Sequence, residues 1–69
     1  MEIGTQLKAA RQARGLSVSD LSQRTRVSGP IIEAIERNDF SRCGGDVFAR
    51  GHVRAMATAL GMDPQPLIE

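Results

Sequence analysis

The chain has 69 residues, of which 41% are apolar and 25% charged, and a formal net charge of +1. That length allows one small domain, which buries only about 60% of its unfolded surface and therefore has to be compact. A single cysteine excludes an internal disulfide and a zinc-binding cysteine set, and it favours a reducing cytoplasmic setting. No apolar run approaches membrane-spanning length and no signal peptide is present, so we expect this segment neither to span a membrane nor to be exported.

The first predicted helix covers residues 3–14. A helical repeat joins Ile3, Leu7, Ala10 and Arg14. The polar side chains between them, Lys8, Arg11 and Gln12, are then expected on the solvent side. Thr5 is a candidate cap, unless the helix begins at Glu2 or Ile3. Gly15 is expected to end the helix in the left-handed conformation.

A second helix is predicted over residues 18–25. Ser17 is a natural N-cap, and Asp20, three residues later, completes an acidic variant of the capping box. Leu21 lies on the face that we expect to be buried. The β-branched residues on either side of Arg26 break the helical run.

A third helix, residues 29–37, follows after a three-residue turn. Ser28 is expected to cap it, and Pro30 occupies the first turn, where a missing N–H costs little. Ile32 and Ile35 have the spacing of buried positions. Two short capped helices joined in this way predict a helix-turn-helix.

The second half of the chain is predicted to hold one loop and two further helices. Residues 41–46 form the loop, with a glycine pair in its turn and Cys43 beside the pair. Phe40, just before the loop, is expected to fold back onto the core. Asp46 is expected to cap the longest helix, residues 47–60. A last short helix, residues 64–68, begins at an Asp–Pro pair.

The combinations of residues that build enzyme active sites are missing. The chain has one histidine, one cysteine and no glycine-rich phosphate loop after a strand. Glu33 and Glu36, three residues apart on one helix, are typical of a solvated surface or a local salt bridge. We therefore expect no catalysis, no cofactor, no metal site and no small-molecule substrate.

A helix-turn-helix that reads DNA needs hydrogen-bonding side chains early in its second helix. Here that helix opens with glycine and proline, whose side chains donate no hydrogen bond. The net charge is also low for a protein that neutralises phosphates. The residues left for a DNA-binding role are Arg24, Arg26, Ser28 and Arg37. The two arginines of the turn region suit phosphate contacts or simply solvent.

From Ile3 onward the chain resembles the N-terminal helix-turn-helix domain of the RodZ family of bacterial cell-shape proteins. The specific part is Asp39-Phe40, then Phe48-x-Arg50-Gly51-x-Val53-Arg54, then Leu60 and Asp63-Pro64. The resemblance implies an all-α, five-helix lambda-repressor-like bundle over residues 1–69. It also implies a cytoplasmic domain, tethered to the inner face of the plasma membrane by a segment beyond residue 69, that binds the actin-like filament protein MreB.

In that family the contact surface includes two aromatic residues on the fourth helix. In this chain the matching positions are Phe48 and His52. The family favours tyrosine at the second position, so His52 departs from its pattern. Phe48 is either a partner anchor or the filler of a core short of aromatics, and His52 is either a contact or an ordinary surface histidine. Arg50 and Arg54 form a basic pair for an acidic protein surface, a phosphate backbone or water.

Two functions therefore remain open from the sequence. The first is a protein-interaction module that binds its partner through Phe48, His52, Arg50 and Arg54. The second is a transcriptional regulator that contacts DNA through the third helix and the turn before it.

Overall fold

The computed structural model describes residues 2–68 and is all-helical over that range, as predicted. The helices are α1 Ile3–Ala13, α2 Val18–Thr25, α3 Gly29–Glu36, α4 Asp46–Ala59 and α5 Gln65–Ile68. Each begins and ends within one residue of its predicted bounds. α3 packs against α1 and α2, and α4 packs against α2 and α5.

The core contains Leu7, Leu21, Ile32 and Ile35, which the sequence placed on buried faces. The largest fully buried side chains are Leu7, Leu21, Ile32, Ile35, Met56 and Leu60. Burial of each contributes about 1.5–3 kcal/mol relative to exposure. Phe40 packs partly against this core, as expected. Cys43 was placed in a loop by the sequence, and its turn in fact directs the side chain into the core. This burial raises the pKa of the Cys43 thiol, and the charge of Asp39 acts in the same direction.

The helix-turn-helix is held by short-range hydrogen bonds. The capping box of α2 is confirmed: the Asp20 N–H donates to the Ser17 hydroxyl at 3.0 Å, and the Ser17 N–H donates to the Asp20 carboxylate at 2.9 Å. In the turn, the Thr25 hydroxyl donates to the Leu21 carbonyl and accepts from the Val27 N–H. These bonds satisfy backbone groups that the helix ends leave open.

Arg11 does not point to solvent as predicted. Its Nε and Nη2 donate to the two carboxylate oxygens of Glu36 at 2.7 and 3.0 Å, and its Nη1 donates to the Leu16 carbonyl at 2.9 Å. The Glu36 side chain is only 5% exposed, so it needs a charged donor where α1 crosses the end of α3. The bond to Glu36 raises the pKa of the Arg11 guanidinium. The ion pair therefore joins α1 to α3.

The predicted caps of three helices are corrected. Asp46 is the first residue of α4 and Gly45 is its N-cap, so Asp46 makes no cap bond but still complements the helix dipole. Ser28 occupies the N-cap of α3 without a side-chain cap bond. At α1 Glu2 is the N-cap residue and the helix begins at Ile3, so the earlier of the two predicted starts is confirmed and Thr5 is not the cap. Glu2 makes no side-chain cap bond, and the side-chain oxygen of Asn38 accepts from the Gly4 N–H at 2.8 Å instead.

Candidate partner-binding surface

The start of α4 is set by a pair of glycines. Gly44 and Gly45 have φ of +87° and +119°, as the predicted turn requires. The Phe48 ring lies over this turn: its Cδ2 is 3.6 Å from the position that a Cβ on Gly44 would occupy. The ring therefore lies close to the turn, and 60% of the residue is still exposed.

Two large apolar side chains among residues 2–68 remain mostly exposed, and both lie in the first turn of α4. Val47 is 81% exposed and Phe48 is 60% exposed. The alternative that Phe48 fills the core is therefore wrong. Scattered exposed apolar residues are common, and two adjacent large ones on a small domain make the start of α4 a candidate binding surface.

The four predicted partner-binding residues occupy different sides of α4. At 100° per residue, Arg50 lies about 160° around the helix from Phe48. Between Phe48 and Arg54 lie Val47 and Gly51. We call the exposed strip formed by Val47, Phe48, Gly51 and Arg54 the outer face of α4. Val47 and Gly51 were not among the residues predicted for this surface, although neither is one of the buried residues of α4, which are Val53, Met56 and Ala57.

His52 and Arg50 lie at the two edges of the outer face. His52 is half-buried, on the Phe48 side. Arg50 is exposed and borders a groove of about 350 Å³, whose apolar walls include Phe40, Ala49 and Leu67. Arg50 is therefore directed away from the Phe48 ring, toward the side where α4 meets α5.

The residues considered for DNA binding lie on another part of the surface. Arg24, Arg26, Ser28 and Arg37 are all exposed. Arg26 adopts the left-handed conformation with φ of +61°, and it forms the C-cap of α2. Arg37 borders a second groove, of about 280 Å³, together with Glu33 and the Arg11–Glu36 pair. An exposed carboxylate beside Arg37 opposes the approach of a phosphate backbone.

Residues 2–68 contain neither a metal-binding cluster nor a membrane-spanning helix. No group of three or more His, Cys, Asp or Glu side chains is placed to hold a metal ion in that part of the chain. None of its helices has both the length and the apolar character needed to cross a bilayer.

Comparison with known proteins agrees with the fold and the resemblance. A family profile described as "Helix-turn-helix domain" matches residues 6–67. The chain belongs to this family. It is also 30% identical over 67 residues to the cytoskeleton protein RodZ of Streptococcus pneumoniae, a match that covers 97% of the chain and 24% of that relative. The chain thus spans about a quarter of the relative's length.

A solved structure is similar over the whole fold. YmfM from Staphylococcus aureus, a membrane protein proposed to bind DNA, superposes with a TM-score of 0.92 at 28% sequence identity. The match covers 99% of this chain and 83% of the other. The resemblance to RodZ domains and the helix-turn-helix fold are therefore confirmed.

Proposed function

We propose that this domain is a non-enzymatic protein-interaction module of a RodZ-like cell-shape protein, and that it binds its partner through α4. The observation that carries the proposal is the exposure of Phe48 beside Val47. Aromatic side chains contribute much of the free energy of protein interfaces. The Phe48 ring also lies near the Gly44 turn that begins α4.

The partner that the resemblance implies is an actin-like filament protein of the MreB class. Phe48 and Val47 would supply the apolar centre of the contact, Arg54 its charged side, and His52 and Arg50 its edges. A relative named as a cytoskeleton protein supports this proposal. We further propose that the domain works on the cytoplasmic side of a membrane-tethered protein, because the structural relative is described as a membrane protein.

Substitutions of the two phenylalanines of the chain test whether the partner binds through α4. Replacing Phe48 by Ala should weaken binding to a purified MreB-class filament protein by about tenfold or more, since anchor residues contribute over 1.4 kcal/mol. The thermal midpoint should change little, because the ring is mostly exposed. Titration of the labelled domain with the filament protein measures the first effect, and thermal unfolding measures the second.

Phe40→Ala is the matched control. Phe40 packs against the core, so this variant should unfold at a lower temperature and, while folded, bind as the wild type does. A Phe48→Ala domain with a much lower midpoint and unchanged affinity would contradict the proposal.

DNA binding through α3 and the turn is the second candidate, and the structural similarity to YmfM is what favours it. It would use Arg24, Arg26, Ser28 and Arg37. Titration with duplex DNA at two salt concentrations tests it, because phosphate contacts make affinity fall steeply with salt. Micromolar binding that Arg24→Glu abolishes would favour this candidate, and no binding at low salt would exclude it.

A further inference from the structure

At most of the glycine positions of this chain, the fold explains why glycine and not a larger residue is present. Four have a positive φ that other residues rarely adopt: Gly15, Gly44, Gly45 and Gly61. Gly4 has a steric reason, because a Cβ there would collide with the Ile35 carbonyl oxygen. Gly29 is the first residue of α3 and faces the Val18 side chain.

Neither a positive φ nor a steric collision explains the glycine at position 51. It is the sixth of the 14 residues of α4, it has no positive φ, and apart from its chain neighbours and the nearby backbone of α4 itself, no atom lies within 4 Å of the position that its Cβ would occupy. Glycine in a helix interior destabilises the helix relative to alanine, because it loses more conformational freedom on folding. The domain itself would therefore be more stable with alanine at this position, and the glycine points to a requirement outside the domain.

The position of Gly51 suggests what that requirement is. It lies at the centre of the outer face of α4, with Phe48 and Arg54 each about 60° away around the helix on opposite sides, and Val47 one turn before it. The side chains of these neighbours thus surround a point where the helix backbone is bare. Such a point lets another backbone approach closely, which is why small residues occur where helices cross at short distance.

The charges of α4 indicate the chemistry of the partner. Beyond its first residue, Asp46, the helix carries no acidic residue, and it carries Arg50 and Arg54. Arg54 lies about 4.5 Å along the axis from Gly51. An element that crosses at Gly51 therefore meets an apolar group on one side and a guanidinium on the other.

We propose that a helix of the partner crosses α4 at Gly51 and carries acidic side chains that pair with Arg54. This inference rests on the proposed function and adds to it the point of closest approach and the character of the partner segment. It assigns to Gly51 a role in recognition, whereas Phe48 supplies the apolar anchor.

The test is Gly51→Ala, which adds one methyl group in open space. The thermal midpoint should rise by about 2–8 °C, because alanine favours the helix in a domain of this size. Affinity for the MreB-class filament protein should fall about tenfold, since a methyl group at a closely packed contact acts as overpacking. Ala9→Ser, which adds one atom at an exposed position of α1, is the control: it should lower the thermal midpoint slightly, because serine favours the helix less than alanine, and leave the affinity unchanged.

The outcomes separate this inference from the proposed function. If Gly51→Ala binds as tightly as the wild type while Phe48→Ala binds weakly, the close approach at Gly51 is refuted and the binding surface stands. If neither variant weakens binding, the proposed function fails as well. A more stable Gly51→Ala domain that binds about tenfold more weakly supports both.

The acidic character of the partner segment is tested by Arg54→Glu. Charge reversal should weaken binding about tenfold or more at low salt, and the difference from the wild type should shrink as salt is added. Arg24→Glu, on α2, is the matched control and should have little effect on the filament protein. Equal effects of the two reversals, or an Arg54→Glu effect independent of salt, would contradict the pairing.

Discussion

The helix-turn-helix and the outer face of α4 use their exposed side chains in opposite ways. In α2 and its turn, Ser17, Asp20 and Thr25 all hydrogen-bond to backbone groups of the same segment. On the outer face of α4, Val47 and Phe48 are exposed and Gly51 is unsupported by any neighbour. The first surface stabilises its own fold, whereas the second carries features that the fold does not need. In a domain with the shape of a DNA-binding motif, the large exposed apolar side chains of residues 2–68 thus lie outside the motif.

The left-handed residues of the first half support the same conclusion. Asn38 has φ of +63°, and its side chain caps α1 through Gly4. Asparagine tolerates this conformation better than most residues, and here it also satisfies an open N–H group. If the first half is structural and binding belongs to α4, substitutions in the first half should change stability and leave binding unchanged.

The largest loss of stability should come from breaking the ion pair between α1 and α3. Arg11→Ala leaves the Glu36 carboxylate buried without its donor, and the free energy of unfolding should fall by about 3–5 kcal/mol at neutral pH. Urea unfolding measures the loss. Lys8→Ala, at an exposed position of α1, should change it little. Replacing both partners, as in Arg11→Met with Glu36→Leu, should recover most of the stability, because no unpaired charge is left buried.

An Arg11→Ala domain as stable as the wild type would show that the pair does not hold the first half together. The Arg11–Glu36 pair would then become a candidate for a role in recognition. The contrast between a structural first half and a binding surface on α4 would weaken. While the variant is folded, its affinity for the filament protein should match that of the wild type.

A smaller loss of stability should come from breaking the capping box of α2. Ser17→Ala should lower the free energy of unfolding by about 1 kcal/mol, because the Asp20 N–H loses its acceptor. Thermal unfolding measures this change. Binding by α4 should be unaffected, and a loss of affinity equal to that of Phe48→Ala would contradict the division between the two surfaces.

The capping box of α2 also predicts that the stability of the domain depends on pH. Hydrogen bonds from the backbone and hydroxyl of Ser17 lower the pKa of Asp20, and those from Ser41 lower the pKa of Asp39. A carboxyl whose pKa is lower in the folded state adds stability above its unfolded pKa, about 3.9, and loses it as the pH falls through the folded value. Stability should therefore decline below about pH 4, and less steeply in Asp20→Asn. A decline of equal slope in that variant would contradict the assignment.

The smallest effect is expected at the turn between α2 and α3. Arg26 adopts φ of +61° without the short polar side chain that eases this conformation. Arg26→Gly should raise the free energy of unfolding by up to about 1 kcal/mol, because glycine removes the steric strain. Thermal unfolding measures the gain, and filament binding should not change. If Arg26→Gly abolished binding to duplex DNA, the turn would be a recognition surface after all.

Much of this fold could be predicted because its signals are local. The capping box of Ser17 and Asp20, the left-handed Gly15 and the apolar spacing of Ile32 and Ile35 act over a few residues, and they placed every helix within one residue of its bounds. The same reasoning failed at Arg11. Its partner lies 25 residues away and is visible only once α1 packs on α3.

The candidate surface was only partly predictable for the same reason. The sequence placed Phe48 at a rim position but left open whether the ring was buried. It treated Phe48, His52, Arg50 and Arg54 as one set, whereas the helix distributes them around its circumference. Gly51 was read only as part of a motif, because the space around a glycine is a property of the packed domain.

The sequence by itself determined the five helices, their order and the apolar residues of the core, because helix formation depends on caps and periodicity within one or two turns. Only the tertiary structure decided which charged residues are buried together and which side of α4 faces solvent. Those outcomes depend on how distant helices cross, and the direction of α4 follows from the Gly44–Gly45 turn and its packing on α2 and α5.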